Sequence, residues 1–196
     1  MKKVNSSSYW ESRYKTGGNS GWGSHDIEHV KFKFDYVNNL IDKHQCKKIF
    51  DYGCGDANQM KGFDGYETYL GYDVSKFIIE KNKLSNNEFV EFTSDINILS
   101  DKSFDLSISL DVVYHLVEDV VYMDYLKRLF NSSNLVTIYT TDISGKNNAP
   151  HCEFRSINQY VENNQKDFKL VDTKYWKGGG DNKLAFYTYI KTNDLR

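Results

Sequence analysis

The chain has 196 residues, with 25 Lys and Arg against 27 Asp and Glu (net charge −2), and is 39% hydrophobic with 15 Tyr, 12 Phe and 3 Trp. So many aromatics exclude a disordered chain, which is poor in them, and the balanced charge excludes the broad basic surface of a nucleic-acid binder. No apolar run nears the roughly 18 residues of a spanning helix, and Met1 to Lys15 has two lysines with no apolar segment behind them, so neither membrane attachment nor a secretory leader is expected. Cys46, Cys54 and Cys152 form no CxxC pair, which predicts reduced thiols, a cytoplasmic setting and no zinc site or disulfide framework. The length fits one domain, 1–196, divided into a cover plus first helix (1–45) and an α/β core (46–196).

The elements follow in chain order. Residues 5–27 hold Tyr9, Trp10, Tyr14 and Trp22 and a glycine-serine loop, Gly17 to Ser24. From Ile27 to His44, apolar residues at Val30, Phe34, Val37, Leu40 and Ile41 recur at the spacing of one helix face. Lys48 to Tyr52 reads as a strand running into Gly53-Cys54-Gly55, and Glu67 to Asp73 as a second. Ser75 caps a helix reaching about Leu84. Strands at Glu88–Phe92 and Phe104–Leu110 follow, then helical spacing over 116–130, a fifth strand at Leu135–Tyr139 and a helix from Ser156 to Asn163. Phe168–Tyr175 and Leu184–Ile190, around a Gly178–Asn182 tip, read as a hairpin. This alternation predicts a Rossmann-like, seven-stranded, mainly parallel sheet with an antiparallel C-terminal hairpin and helices on both faces. Ligands of such sheets bind beyond the carboxyl ends of the strands.

Those ends carry acids: Asp51 before the glycine turn, Asp73 eighteen residues after Gly55, Asp95 after the third strand and Asp111 after the fourth. Gly53 and Gly55 permit a sharp turn and a close ligand approach. Asp73 is spaced to accept hydrogen bonds from ribose hydroxyls. Asp95 suits an adenine amino group, and Val74 or Ile96 the face of the ring. A dinucleotide fold wants a third glycine three positions after Gly55, where Asn58 stands. A pyrophosphate would also be repelled by Asp51, whereas the sulfonium and ammonium of S-adenosylmethionine suit an acidic rim. Asp111 serves either that rim or the cap of the next helix.

Phe50-Asp51-Tyr52-Gly53-Cys54-Gly55-Asp56, Gly71-Tyr72-Asp73-Val74-Ser75, Thr93-Ser94-Asp95-Ile96 and Phe104 to Leu116 resemble, in order and spacing, the motifs of the class I S-adenosylmethionine-dependent methyltransferases. A further glycine that the family often has near Ala57-Asn58 is missing. The resemblance implies cofactor contacts by Asp51, Gly53, Cys54, Gly55, Asp73, Val74, Asp95, Ile96 and Asp111. Tyr9 to Tyr14 resembles the aromatic-plus-arginine cover of small-molecule methyltransferases, which implies Trp10 on the cofactor and Arg13 on its methionyl carboxylate. With Gly17 to Ser24, it is similar to methyltransferases of bacterial surface-polysaccharide loci.

The implied reaction is methyl transfer, chiefly O-methylation, to a small polar or anionic metabolite. His115 is the candidate base or orienting group, and Tyr114, His151 and Arg155 are candidate substrate contacts. No H-x-x-x-H or comparable spacing suggests a metal, and Asp142 with Asn147 or Asn148 is a minor magnesium alternative. The run Asp111-Val112-Val113-Tyr114 lacks the prolines of base-amino methyltransferases. The competing readings are a non-catalytic adenosyl-binding regulator and an NAD-dependent oxidoreductase.

Overall fold

In a computed structural model, residues 4–85, 88–99, 103–146, 149–177 and 184–194 are described. Asn147, Asn148 and the Gly178–Asn182 tip lie outside them. The chain runs α1 (Ser6–Lys15), α2 (Ile27–His44), β1 (Lys48–Tyr52), β2 (Thr68–Tyr72), α3 (Lys76–Asn82), β3 (Val90–Thr93), β4 (Phe104–Leu110), α4 (Asp119–Ser132) and β5 (Ser133–Thr141). It continues through β6 (Gly145–Lys146), β7 (Glu153–Phe154), α5 (Ile157–Asn164), β8 (Phe168–Tyr175) and β9 (Leu184–Lys191).

Seven strands form one sheet in the order β3-β2-β1-β4-β5-β9-β8, while β6 and β7 pair separately. β1 to β5 are parallel, and β9 pairs antiparallel with both β5 and β8. The predicted architecture is therefore the observed one. The chain winds outward from β1 through β2 to β3 and then returns to lay β4 against β1. The strand order reverses between β1 and β4, and a crevice opens at their carboxyl ends.

The period-2 alternation of each strand feeds two cores. Phe50, Tyr52, Val136 and Ile138 pack with Leu126 and Leu129 of α4 and Ile157 of α5. Ile49, Leu106, Ile108 and Leu110 pack with Val37, Leu40 and Ile41 of α2 and Ile78 and Ile79 of α3. Facing α4, Ser107 and Ser109 are fully buried; Ser109 pairs with the Tyr125 hydroxyl at 2.7 Å.

α1 is not among the predicted elements. Its sequence, SSSYWESRYK, has no continuous apolar stripe to announce a helix. Instead, Asn5 caps it by accepting from Ser8 N at 2.8 Å, and packing over the crevice holds it. The third strand lies at 90–93 and the fifth spans 133–141, because the ladder to β4 extends below the apolar run. The helix expected over 116–130 starts at Asp119, since Val113–His115 forms a single 3-10 turn first.

α2 ends on Gln45, an exposed residue at φ 53°. A side chain there costs about 1–2 kcal/mol relative to glycine. Gln45→Gly is therefore expected to raise the unfolding free energy by about 1 kcal/mol in urea melts, and a loss of stability would contradict this.

Candidate active site

The glycine turn after β1 is shaped to let neighbours in. Gly53 and Gly55 sit at φ 91° and 53°. A Cβ on Gly53 would lie 2.5 Å from Val112 Cγ2, and one on Gly55 would lie 2.3 Å from Ser20 Oγ. Gly53 N and Cys54 N both donate to the Tyr72 carbonyl, at 2.7 and 2.9 Å. Asn82 Nδ2 donates to Gly55 O at 2.8 Å. Ala57, close to where the related motif has a further glycine, sits at φ 56°.

Asp73 closes the turn. Its Oδ2 accepts from Gly55 N at 3.1 Å and its Oδ1 from Ser75 N at 2.9 Å. Burial pushes its carboxyl up to about 6, against the pull of those two N–H groups. Asp51 lies deeper. Its Oδ2 accepts from the Tyr69 hydroxyl at 2.6 Å, its Oδ1 is a buried atom without a partner, and burial pushes the carboxyl up to about 7.

The glycine turn and Asp73 border a cavity of about 240 Å³. Gly53, Cys54, Gly55, Tyr52 and Tyr125 line it. So do Asp73, Val74 and Ile96, and Asp111, Val112, His115 and Leu116. Ser6, Ser7, Trp10 and Tyr14 of α1, with Ser20 and Ser24 of the glycine-serine loop, line it from the N-terminal segment.

That segment is tied down at several points. Ser6 N donates to Glu118 Oε1 and Val117 N donates to Ser6 Oγ, at 3.0 and 3.1 Å. Glu11 Oε2 accepts from Ser75 Oγ at 2.6 Å. Ser20 N donates to Asp56 Oδ2, while Asp56 N donates to Ser20 Oγ, both at 3.0 Å. Asn58 Nδ2 donates to Ser24 O at 2.8 Å.

Of the residues singled out from the sequence, Trp10, Gly53, Cys54, Gly55, Asp73, Val74, Ile96, Asp111 and His115 border the cavity. The others stand elsewhere. Asp51 sits beneath the turn on Tyr69. Asp95 is exposed, and its Oδ1 accepts from Asn97 N at 3.0 Å, capping the turn after β3. Arg13 packs 5.6 Å from the Trp10 ring, and its Nε donates to Asn19 O at 2.7 Å, bracing the glycine-serine loop. The Tyr114 hydroxyl donates to Asp111 Oδ1 at 2.9 Å. Arg155 departs furthest from its expected place facing a substrate. Its guanidinium donates to Leu116 O and Val117 O and pairs with Asp119 at 2.8 Å, so it clamps the start of α4.

His115 stands edge-on to Trp10, with ring centroids 4.9 Å apart. Its Nδ1 donates to His151 O at 3.2 Å, which leaves Nε2 as the bare acceptor of the ring. Burial pushes the imidazole down to about 4. His151 stacks on Tyr9 at 4.6 Å, and Cys152 Sγ lies 3.4 Å from His115 Nδ1. One ligand atom from each of His115, His151 and Cys152 lies within 4.8 Å of the other two, so metal-binding side chains converge where the sequence spacing suggested none.

Sequence reasoning missed Lys33 and Tyr125, and named Tyr14 and Tyr52 only within the cover and the first motif. Lys33 is wholly buried in α2, and its ammonium meets Asp111 Oδ2 at 2.5 Å. Its place between Phe32 and Phe34, four residues before Val37 on the buried face, was the one signal in the sequence, but the partner lies 78 residues away.

No protein-family model matches the sequence, and no curated protein does. Solved structures match the fold across almost the whole chain. N-methyltransferase NodS from Bradyrhizobium japonicum WM9, in complex with S-adenosyl-L-homocysteine, superposes with a TM-score of 0.72 at 12% identity, over 96% of this chain and 99% of that one. The Burkholderia thailandensis 1,6-didemethyltoxoflavin-N1-methyltransferase, with 1,6-didemethyltoxoflavin and S-adenosylhomocysteine bound, gives 0.69 at 16%, over 95% and 87%. Magnesium protoporphyrin IX methyltransferase (ChlM) from Synechocystis PCC 6803, with bound S-adenosylhomocysteine, gives 0.67 at 13%, over 95% and 95%. The chain thus has the Rossmann-like methyltransferase fold. Among the described residues, no helix is long and apolar enough to cross a membrane.

Proposed function

We propose that this protein is an S-adenosylmethionine-dependent methyltransferase that O-methylates a small polar or anionic metabolite. The observation that carries the reading is the cavity at the strand-order reversal, lined by the glycine turn and by the Asp73 carboxylate. The residues fit the cofactor. Gly53 and Gly55 line the cavity, where side chains on them would collide with Val112 or Ser20 of its wall, and Asp73 keeps lone pairs beyond its two backbone bonds for ribose hydroxyls. Val74 and Ile96 offer apolar faces to an adenine ring. The acidic surroundings, Asp73 on the wall and Asp51 below, favour a cation over a pyrophosphate, while the charge of Asp111 is met by Lys33.

Bound there, S-adenosylmethionine supplies an electrophilic methyl group. The chain's task is to hold an acceptor in line with it at roughly 3 Å. Trp10 and His115 stand edge to face in the wall of the cavity. The bare Nε2 of His115 accepts a hydrogen bond from the acceptor hydroxyl and so points an oxygen lone pair inward. Arg13, packed on Trp10, is the guanidinium proposed for the methionyl carboxylate, His151 is a neutral polar group for the acceptor, and Arg155 is committed to the start of α4. A surface-polysaccharide context is supported only by the likeness of residues 9–24 to methyltransferases of such loci. The competing nicotinamide reading makes the opposite binding prediction. Calorimetry is expected to show one S-adenosylhomocysteine bound per chain and no heat with NAD, and the reverse pattern would overturn the assignment.

A further inference from the structure

We propose that His115, His151 and Cys152 form a binding site for one zinc ion at the wall of the cavity. The three side chains come from two segments that the fold brings together: the turn after β4 and the loop between β6 and β7. Two imidazoles and a thiol are a donor set that selects borderline-soft cations over magnesium or calcium, which take oxygen. The spacing is close to what zinc needs. Zn–S and Zn–N bonds of about 2.3 and 2.0–2.1 Å at a tetrahedral angle put sulfur and nitrogen roughly 3.5 Å apart. Cys152 Sγ and His115 Nδ1 are 3.4 Å apart, and the third ligand atom lies within 4.8 Å of both. A small rotation of the half-exposed His151 closes the triangle.

Three protein ligands leave a fourth position open, the pattern of zinc sites that engage a water or substrate atom. His115 borders the cavity, so the ion would sit at its edge. The site also explains a thiol placed against an imidazole nitrogen in a chain whose described cysteines form no disulfide. Loading releases one proton for the ion. The Cys152 thiol gives up its hydrogen, and His115 moves its own from Nδ1 to Nε2 with no net loss. Toward the cavity, the imidazole then changes from acceptor to donor. An acceptor molecule would accordingly meet a zinc ion and an N–H in place of a bare nitrogen. A hydroxylate, thiolate or phosphate is the chemistry that such a surface binds.

The experiment uses the purified full chain, stripped with chelator and titrated with cobalt(II), which occupies zinc sites and reports their geometry. The expected result is saturation at one equivalent, with the visible bands of tetrahedral cobalt and a near-ultraviolet thiolate-to-cobalt charge-transfer band. Zinc should displace both. Cys152→Ser should remove the charge-transfer band, and His151→Ala, in a half-exposed loop, should weaken cobalt binding at least about tenfold. Cys46→Ala, whose thiol lies in the other core, should leave the spectrum unchanged. Weak octahedral bands only, or a charge-transfer band that survives Cys152→Ser, would overturn the site. The readout is independent of S-adenosylhomocysteine binding, so failure here leaves the methyltransferase reading untouched.

Discussion

Asp73→Ala is expected to abolish measurable binding of S-adenosylhomocysteine while the chain stays folded. The carboxylate is proposed to accept two charge-assisted bonds from the ribose. At about 1.5–3 kcal/mol each, their loss weakens binding by roughly two to four orders of magnitude. The backbone bonds to Gly55 N and Ser75 N also go, so the turn proposed to cradle the cofactor loosens with its anchor. Asp73→Asn separates the two effects. It keeps one oxygen for Ser75 N but sets an NH2 against Gly55 N, and should fall between wild type and alanine. The pH profile carries the same signature. In the free protein burial raises the Asp73 carboxyl to about 6. Binding favours the ionised form, so affinity is full above that value and falls as pH drops through it, by about tenfold per unit once the group is protonated. Asp51, raised to about 7 and coupled to Asp73, broadens the transition upward. Calorimetry between pH 5 and 8 checks both. Asp73→Ala binding within a few fold of wild type would show that the ribose is gripped elsewhere.

The sequence showed this part of the site because its physics is local. A glycine pair after an apolar run, and an acid eighteen residues on, need only strand ends in register, and the parallel pairing of β1 with β2 supplies that register. Asp51 misled because period-2 alternation was not followed to its last step. Tyr52 faces α4, so Asp51 points to the other face, into Tyr69 and away from the cavity. Arg155 misled for another reason. A guanidinium in a loop looks available, but the 3-10 turn before α4 leaves the carbonyls of Leu116 and Val117 for it to satisfy. What stayed hidden depends on pairs distant in sequence: the clasp of Ser6 on Glu118, the Ser20–Asp56 exchange, and the meeting of His115 with His151 and Cys152. No periodicity marks such pairs.

The largest effect on stability is expected at Lys33. Its ammonium is fully buried, donates to Gly23 O and to Asp111 Oδ2, and lies 5.3 Å from the centre of the Tyr139 ring. Asp111, in turn, receives the Tyr114 hydroxyl and holds a left-handed backbone at φ 62°. Lys33→Met fills nearly the same volume but strands a carboxylate that water barely reaches. Breaking a buried pair from one side costs about 3–5 kcal/mol, a large share of the stability of an ordinary domain. The glycine-serine loop also loses its hold on α2 at Gly23. The test is whether the cost lies in the orphaned charge or in the missing lysine. Adding Asp111→Gly removes the carboxylate and suits the left-handed backbone, which relieves about 1–2 kcal/mol of strain. Lys33→Met/Asp111→Gly should therefore be more stable in urea than Lys33→Met alone, whereas Asp111→Gly in the wild-type background strands the ammonium and should destabilise; that change of sign is the coupling independent sites do not show. If the double variant is instead less stable than the single one, the lysine stabilises the fold by packing and by its bond to Gly23, and the ion pair is incidental.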